Sequence, residues 1–388
     1  MDITDQPQQP ANSSVELPCP PVAENTRTEL EQWGAMMASD YEKFKQQFME
    51  WLQTEGKNTY KHKGYAATTV KHTHYKVDEA YRWKWDQNDE YTTEFTPDDA
   101  TELIEFMIRY TNHPGRYVYT MEKCIRRLFK FFRNERGESI EEWEHNLPIE
   151  KTDGSNDHIK DKFYPREMSA IYEAALDHYS FPHIYSESLS EQERERLKNL
   201  ISARRGIPKD KITPEVFNNS SSWKIPSMIA VTCDTGLRPI EIGRATVDWF
   251  DTDRGMMVIP ADEATKNKEH WHCELSAKSV NAISNWINER KKYEKYRDEE
   301  GCWLTKYGNK YQARSLNRIL DKLMELAEVS DRNRNLSFYS FRHGSASFWV
   351  DKEGLSKAKT QMRHSSLRTT EKYQRDGEKD TGGNDAHW

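Results

Sequence analysis

From Asn25 to Trp51 the large apolar residues Leu30, Trp33, Met37, Tyr41, Phe44, Phe48 and Trp51 recur every three or four positions. A helix turns once in about 3.6 residues, so this spacing gathers them on one face and commits the start of the chain to helical packing. The same period returns through Ala66–Trp85, Pro97–Tyr110 and Gly115–Asn134. Thr96-Pro97 supplies an N-cap and a proline for a first helical turn that also carries acids. These stretches predict an all-helical domain over 23–145, preceded by a loose tail over 1–22 rich in Pro, Gln, Asn and Ser. Pro148, Gly154, Ser155 and Asn156 mark a linker over 146–162.

A second domain is expected over 163–376, with a short Gly-rich tail over 377–388. It opens at Tyr164-Pro165-Arg166-Glu167-Met168 with a helix through Leu176. A polar connection over 181–222 follows, with one helix near Ser190–Ser202. Helices are expected around Lys224–Cys233 and after Arg238, short strands near Met256–Pro260 and His270–Leu275, then mostly helices to Tyr373. A few strands embedded in helices make an α+β class, mainly α, with a small antiparallel sheet. A chain of 388 residues can bury two such cores.

A net charge of −7 is the wrong sign for a nucleic-acid partner, but fields act locally. Lys57, Lys61, Lys63, Lys71, Lys76, Arg82 and Lys84 form one basic run. An acidic run follows, then Lys123, Arg126, Arg127, Lys130, Arg133 and Arg136. Each run alone reads as a solvated helix face. Alternating with acid, they fit one side turned to a polyanion. Lys71, Lys123, Arg126, Arg127 and Lys130 are the candidate phosphate contacts, the last four at helical spacing with Ile125, Leu128, Phe129 and Phe132 packed behind them. The five cysteines are scattered with no Cys-x-x-Cys pair, and no apolar run approaches the ~18 residues of a membrane span. Both point to a cytoplasmic protein. His270-Trp271-His272-Cys273 is not expected to bind zinc, because neighbouring strand residues face opposite ways and no fourth ligand is evident. His72 and His74, two apart on a helix, also diverge.

Four short pieces carry chemistry. In Cys233-Asp234-Thr235-Gly236-Leu237-Arg238-Pro239, Gly236 permits a tight turn and Pro239 opens a helix, holding Arg238 on a corner with Glu241 one turn on to orient it. Ala264-Thr265-Lys266-Asn267-Lys268 lies between the two strands. Tyr339-Ser340-Phe341-Arg342-His343 enters a helix. His364-Ser365-Ser366 signals a further helix start, and Tyr373 lies nine residues after His364.

In this order and spacing, the pieces resemble the tyrosine recombinase (phage integrase) family, in layout its archaeal branch. The resemblance implies a core-binding domain and a catalytic domain clamping double-stranded DNA, a homotetramer during recombination, and no cofactor or membrane. It implies catalytic roles for Arg238, Lys266, Tyr339, Arg342, His364 and Tyr373. Physical chemistry agrees. Two guanidinium forks and an imidazole suit the oxygens of an attacked phosphodiester, each such donor being worth ~3–4 kcal/mol in a dry site. Tyr373 is the nucleophile and Lys266 the acid that protonates the departing 5′ oxygen. A 3′-phosphotyrosyl ester conserves the bond energy, so ATP is unnecessary.

Three positions depart from or blur the pattern. Tyr339 stands where the family more often has His; it either packs and orients Arg342 or takes part in proton transfer. Arg363 stands where the family often has Gly, either on phosphate or at the surface. Lys268 competes with Lys266, which Thr-Lys-Asn puts nearer the hairpin turn. The rival functions are a type IB-like DNA topoisomerase and a catalytically weak DNA-binding protein. The separate basic helical domain speaks against the first, and the full set of catalytic residue types against the second.

Overall fold

The computed structural model describes residues 16–149, 161–264, 270–331 and 333–377. Two compact units divide the chain, Met1–Asn156 and Asp157–Trp388.

The first unit is helical: α1 (Glu24–Leu30), α2 (Ala35–Thr54), α3 (Ala67–Asn88), α4 (Pro97–Tyr110) and α5 (Gly115–Glu135). The first periodic stretch is not one helix. Gly34 sits at φ +92°, a conformation that glycine reaches without a Cβ clash, and breaks it between α1 and α2. Thr96 caps α4 reciprocally: its hydroxyl accepts from the Asp99 N–H, and the Asp99 carboxylate accepts from the Thr96 N–H at 2.7 Å. Ile125, Leu128, Phe129 and Phe132 are buried behind α5. Edge-to-face pairs such as Tyr41–Tyr81 and Phe48–Phe131, with centroids 5.4 and 5.3 Å apart, give this core its fixed geometry.

The expected loose tail needs correction at its end. Val22 is buried, Leu17 and Cys19 rest on the same core, and the Ala23 N–H donates to Asp78 Oδ2 at 2.8 Å. A buried carboxylate needs donors, and this segment supplies one. Leu147 and Ile149, placed in the linker, also pack on the core. Residues 1–15, 150–160 and 378–388 lie outside the described residues.

The second unit contains α6 (Pro165–His178), α7 (Glu191–Arg205), α8 (Pro214–Asn218), α9 (Lys224–Thr235), α10 (Pro239–Arg244), β1 (Phe250–Asp251), β2 (Met256–Ile259), β3 (Trp271–Glu274), α11 (Ala277–Arg290), α12 (Ala313–Leu326), α13 (Ser340–Gln361) and α14 (Leu367–Gly377). It is α+β and mainly α, with one antiparallel sheet ordered β1-β2-β3. Met257 pairs with Cys273; both are buried, while His272 is exposed. Two elements were not read from the sequence: the two-residue β1, and α8, which Thr213 caps through the Val216 N–H.

Every residue of α9 from Ile225 to Thr235 is buried, so this helix is the axis of the unit. α13 is tied to its C-terminal end: Ser345 Oγ donates to the Cys233 carbonyl at 2.6 Å and Trp349 Nε1 to the Asp234 carbonyl at 2.7 Å. Gln361, at the far end of α13, donates to the Asp234 and Glu274 carbonyls and accepts from the Glu274 N–H. These bonds hold the end of α9, strand β3 and the end of α13 together. The five-residue loop after α13, Met362 to Ser366, therefore faces the turn after α9.

Candidate active site

The turn after α9 forms because Gly236 adopts φ +56° and ends the helix. A Cβ there would lie 2.8 Å from the Met362 sulfur, so glycine is required by both backbone and neighbour. Pro239 then starts α10 with Arg238 as its N-cap. Glu241 accepts twice from Arg238, from its backbone N–H and from Nη1, each at 2.8 Å. The guanidinium is thereby aimed by a carboxylate one turn away.

Arg342 enters from the first turn of α13 and is 1% exposed. Its Nη1 donates to the Gly236 carbonyl at 2.7 Å and its Nη2 to the Met362 carbonyl. One side chain thus joins the two loops. Burial, then Arg363 and Arg238, depress its pKa to about 10, against the support of Glu241. His364 is also buried, and its Nδ1 is held by the Thr370 hydroxyl at 2.9 Å. Burial, followed by the charges of Arg342, Arg238 and Arg363, pushes its pKa down to about 3, so the ring is neutral at physiological pH.

Tyr373, on α14, is buried between two imidazoles. Its ring lies nearly parallel to His364, with centroids 6.0 Å apart, and its hydroxyl is 2.8 Å from His343 Nδ1. Burial raises the phenol to about 12; Arg342 and Arg238 pull the other way and Tyr339 reinforces the rise. Tyr339 is half-buried at the start of α13, its ring 5.1 Å from that of His343.

The structure therefore brings together Arg238, Glu241, Tyr339, Arg342, His364 and Tyr373. Lys266 and Lys268 lie outside the described residues. Arg363 requires a correction, being neither a surface residue nor open to phosphate. It is 5% exposed, at φ +57°, and donates to Glu241 Oε2 at 2.7 Å and the Thr235 carbonyl at 2.8 Å. The left-handed turn swings the side chain inward, and these acceptors hold it there. Burial lowers its pKa and Glu241 restores it, leaving a firmly charged group.

His343 and Thr370 were missed in the sequence. Each carried a signal: His343 is four residues after Tyr339 on a helix, and Thr370 three before Tyr373, so each pair shares a face.

The expected phosphate contacts of the first unit divide. Lys71 and Lys123 are exposed, Lys123 lying 3.9 Å over the Tyr119 ring. Arg126 instead bonds Glu122 and the Trp143 carbonyl, Arg127 bonds the Thr73 hydroxyl, and Lys130 bonds the Gly56 carbonyl. The last three were expected to face phosphate. In this structure their donors are taken by groups of the unit itself, on α3, on α5 and in the loops beside them.

Residues 189–379 match the model of the phage integrase family. No curated protein sequence matches the chain. Among solved structures, XerH site-specific recombinase bound to palindromic difH substrate in a post-cleavage complex is similar in fold, with TM-score 0.54 and 14% identity over 95% of this chain and 88% of that one. The XerH pre-cleavage complex with difH substrate gives TM-score 0.51 and 14% identity over 96% and 90%. The matched segment includes Arg238, Arg342, His364 and Tyr373. Residues 189–379 of the chain therefore carry a phage integrase family domain, and the fold is similar to that of the XerH recombinase structures.

Proposed function

We propose that Tyr373 attacks a DNA phosphodiester within a positively charged cage, giving a 3′-phosphotyrosyl intermediate and a free 5′ hydroxyl. The observation that carries this reading is the charge surplus around the tyrosine. Arg238, Arg342 and Arg363 gather about Glu241, and Arg342 is acted on by two like charges before its carboxylate. Such a cluster is electrostatically complete only when an anion joins it.

Arg238 and Arg342 bind the non-bridging oxygens, whose charge grows as the phosphorus becomes five-coordinate. His364 adds a donor through Nε2, its Nδ1 being held by Thr370. Glu241 and Arg363 position these groups without touching DNA. Lys266 protonates the departing 5′ oxygen. Reversal by a 5′ hydroxyl of another duplex completes strand exchange, with no ATP consumed. Lys71 and Lys123 contact the backbone of the duplex. Exchange between two duplexes needs a nucleophile on each of four strands, which supports a homotetramer on double-stranded DNA. The layout of the four motif pieces supports an archaeal-type member, and the scattered free cysteines suit a reducing cytoplasm.

The test is a suicide substrate, a duplex nicked so that the 5′ hydroxyl diffuses away after cleavage. The wild-type protein should accumulate a covalent protein–DNA adduct, and Tyr373→Phe none. Trapping that persists in the variant would move the nucleophile elsewhere.

A further inference from the structure

The proposed nucleophile has a hydrogen-bond partner that none of the assigned roles uses. His343 Nδ1 and the Tyr373 hydroxyl are 2.8 Å apart, at heavy-atom reach for direct proton transfer. The partner is held in place on both sides. His343 sits in the first turn of α13 between Arg342, whose guanidinium is fixed on two carbonyls, and Ser345, whose hydroxyl is bonded to α9. Tyr373 is fixed by α14 and by the parallel His364 ring. The contact therefore joins two restrained groups and is not a chance meeting of mobile side chains.

We infer that His343 is a catalytic residue, the base that takes the phenolic proton of Tyr373 as the new bond to phosphorus forms. This rests on Tyr373 being the nucleophile. With His343 in the Nε2–H tautomer, Nδ1 accepts the bond from the phenol. As the phenolic oxygen bonds to phosphorus, its proton passes to Nδ1 and the ring becomes an imidazolium. The bond from phosphorus to the 5′ oxygen breaks, and that oxygen takes the proton of the general acid. In the rejoining step the 5′ hydroxyl returns its proton to the conjugate base of that acid as its oxygen attacks phosphorus. The bond from phosphorus to the phenolic oxygen breaks, and the imidazolium returns its proton to the departing phenolate.

The need for a base is independent of its identity. The buried phenol titrates at about 12, far above neutrality even beside two arginines. The other groups around the pair serve less well. Tyr339 is itself a phenol, a poor proton acceptor at neutral pH. His364 meets Tyr373 face to face, with its Nδ1 engaged by Thr370. Arg238 and Arg342 carry no acceptor. The proton-transfer role weighed for Tyr339 in the sequence thus passes four residues along the same helical face.

His343→Asn tests this, because the Asn amide oxygen stands near the place of Nδ1 and accepts a hydrogen bond but not a proton. Single-turnover adduct formation on the suicide substrate should fall ~10²-fold or more at neutral pH. DNA affinity in a filter or mobility assay should stay within threefold of the wild type. The deficit should shrink as pH rises towards the phenol's own ionisation. His343→Ala should be partly rescued by added imidazole. An Asn variant that cleaves at the wild-type rate overturns the inference. So does a deficit equal at every pH with no imidazole rescue, which would mark a merely structural contact. Tyr373→Phe run in parallel separates the two readings: adduct in that variant removes the nucleophile assignment itself, whereas its absence alongside full activity of His343→Asn removes only the base.

Discussion

Each unit of the protein buries a charge cluster, and the two are built on opposite principles. In the first unit Lys45 Nζ and Asp78 Oδ1 are 2.7 Å apart with almost no solvent exposure. The carboxylate also accepts from the Tyr41 hydroxyl and the Ala23 N–H, and the ammonium donates to the His74 carbonyl. One cation meets one anion, and the adjacent His74 is pushed to about 4, mainly by burial and then by Lys45, so it stays neutral. In the second unit three guanidinium groups meet the single carboxylate of Glu241, whose pKa is held at about 2 against its burial by Arg363 and Arg238. A balanced cluster is finished when the chain folds. A surplus cluster has room for a ligand of the missing sign, and on the proposed function this contrast separates a site of folding from a site of function.

The largest expected effect belongs to the finished cluster. Asp78→Asn leaves Lys45 charged in a dry core, and breaking a buried pair from one side costs about 3–5 kcal/mol. Urea denaturation should show this loss, while the cleavage rate per folded molecule on the suicide substrate stays unchanged. Burial opposes ionisation of Asp78, but Lys45, His74 and its hydrogen bonds outweigh it and hold the carboxyl below its ordinary range. Its contribution is therefore present above the unfolded carboxyl pKa and is lost as pH falls through the lower folded value. A variant as stable as the wild type would remove the distinction between the two clusters.

Arg342→Gln should do the reverse. Losing one preorganised donor to a charge-developing phosphate lowers cleavage ~10²–10³-fold, about 2.7–4 kcal/mol. Folding should suffer less than in Asp78→Asn, because removing a cation relieves repulsion from Arg363 and Arg238 even as two carbonyl contacts are weakened. Adduct yield and urea midpoint, measured on both variants, sharpen the comparison. If Arg342→Gln loses stability as severely as activity, the arginine is a structural strut and the surplus has no catalytic meaning.

How much of this could be read in advance follows from distance along the chain. The amphipathic face of α5 was legible because Ile125, Leu128, Phe129 and Phe132 repeat within one element. Arg238 with Glu241, and His364 with Tyr373, were legible because each pair lies within a single short motif. Contacts between motifs were not. Arg363 finds Glu241 across 122 positions, and His343 finds Tyr373 across 30; helical spacing sets His343 beside Tyr339 but says nothing of Tyr373. The partners of the α5 donors were hidden for a related reason. Helical spacing showed which residues share a face but not that the Trp143 and Gly56 carbonyls would lie against it. The break at Gly34 was likewise hidden, because a helix and a helix broken by one glycine share the same apolar spacing on either side.

The subtlest expected difference lies in the two buried histidines. His74 titrates at about 4 and His364 at about 3, both well below the ordinary value of about 6.5. Either depressed histidine makes the unfolded chain the better proton binder. Stability therefore falls as pH drops from about 6.5 towards the folded value, and the two respond alike in the free protein. On binding DNA they should part. Burial is the main cause of the low His364 pKa and would persist. A phosphate seated between Arg238 and Arg342 cancels the charges that add to it, so the pKa should rise and proton uptake at acid pH should accompany binding. His74, facing a pair that is already neutral, should not move. Imidazole chemical shifts followed through a pH titration, with and without duplex, read this directly. Equal shifts at both rings would mean that a general change in the protein, and not a phosphate at the surplus cluster, had altered them.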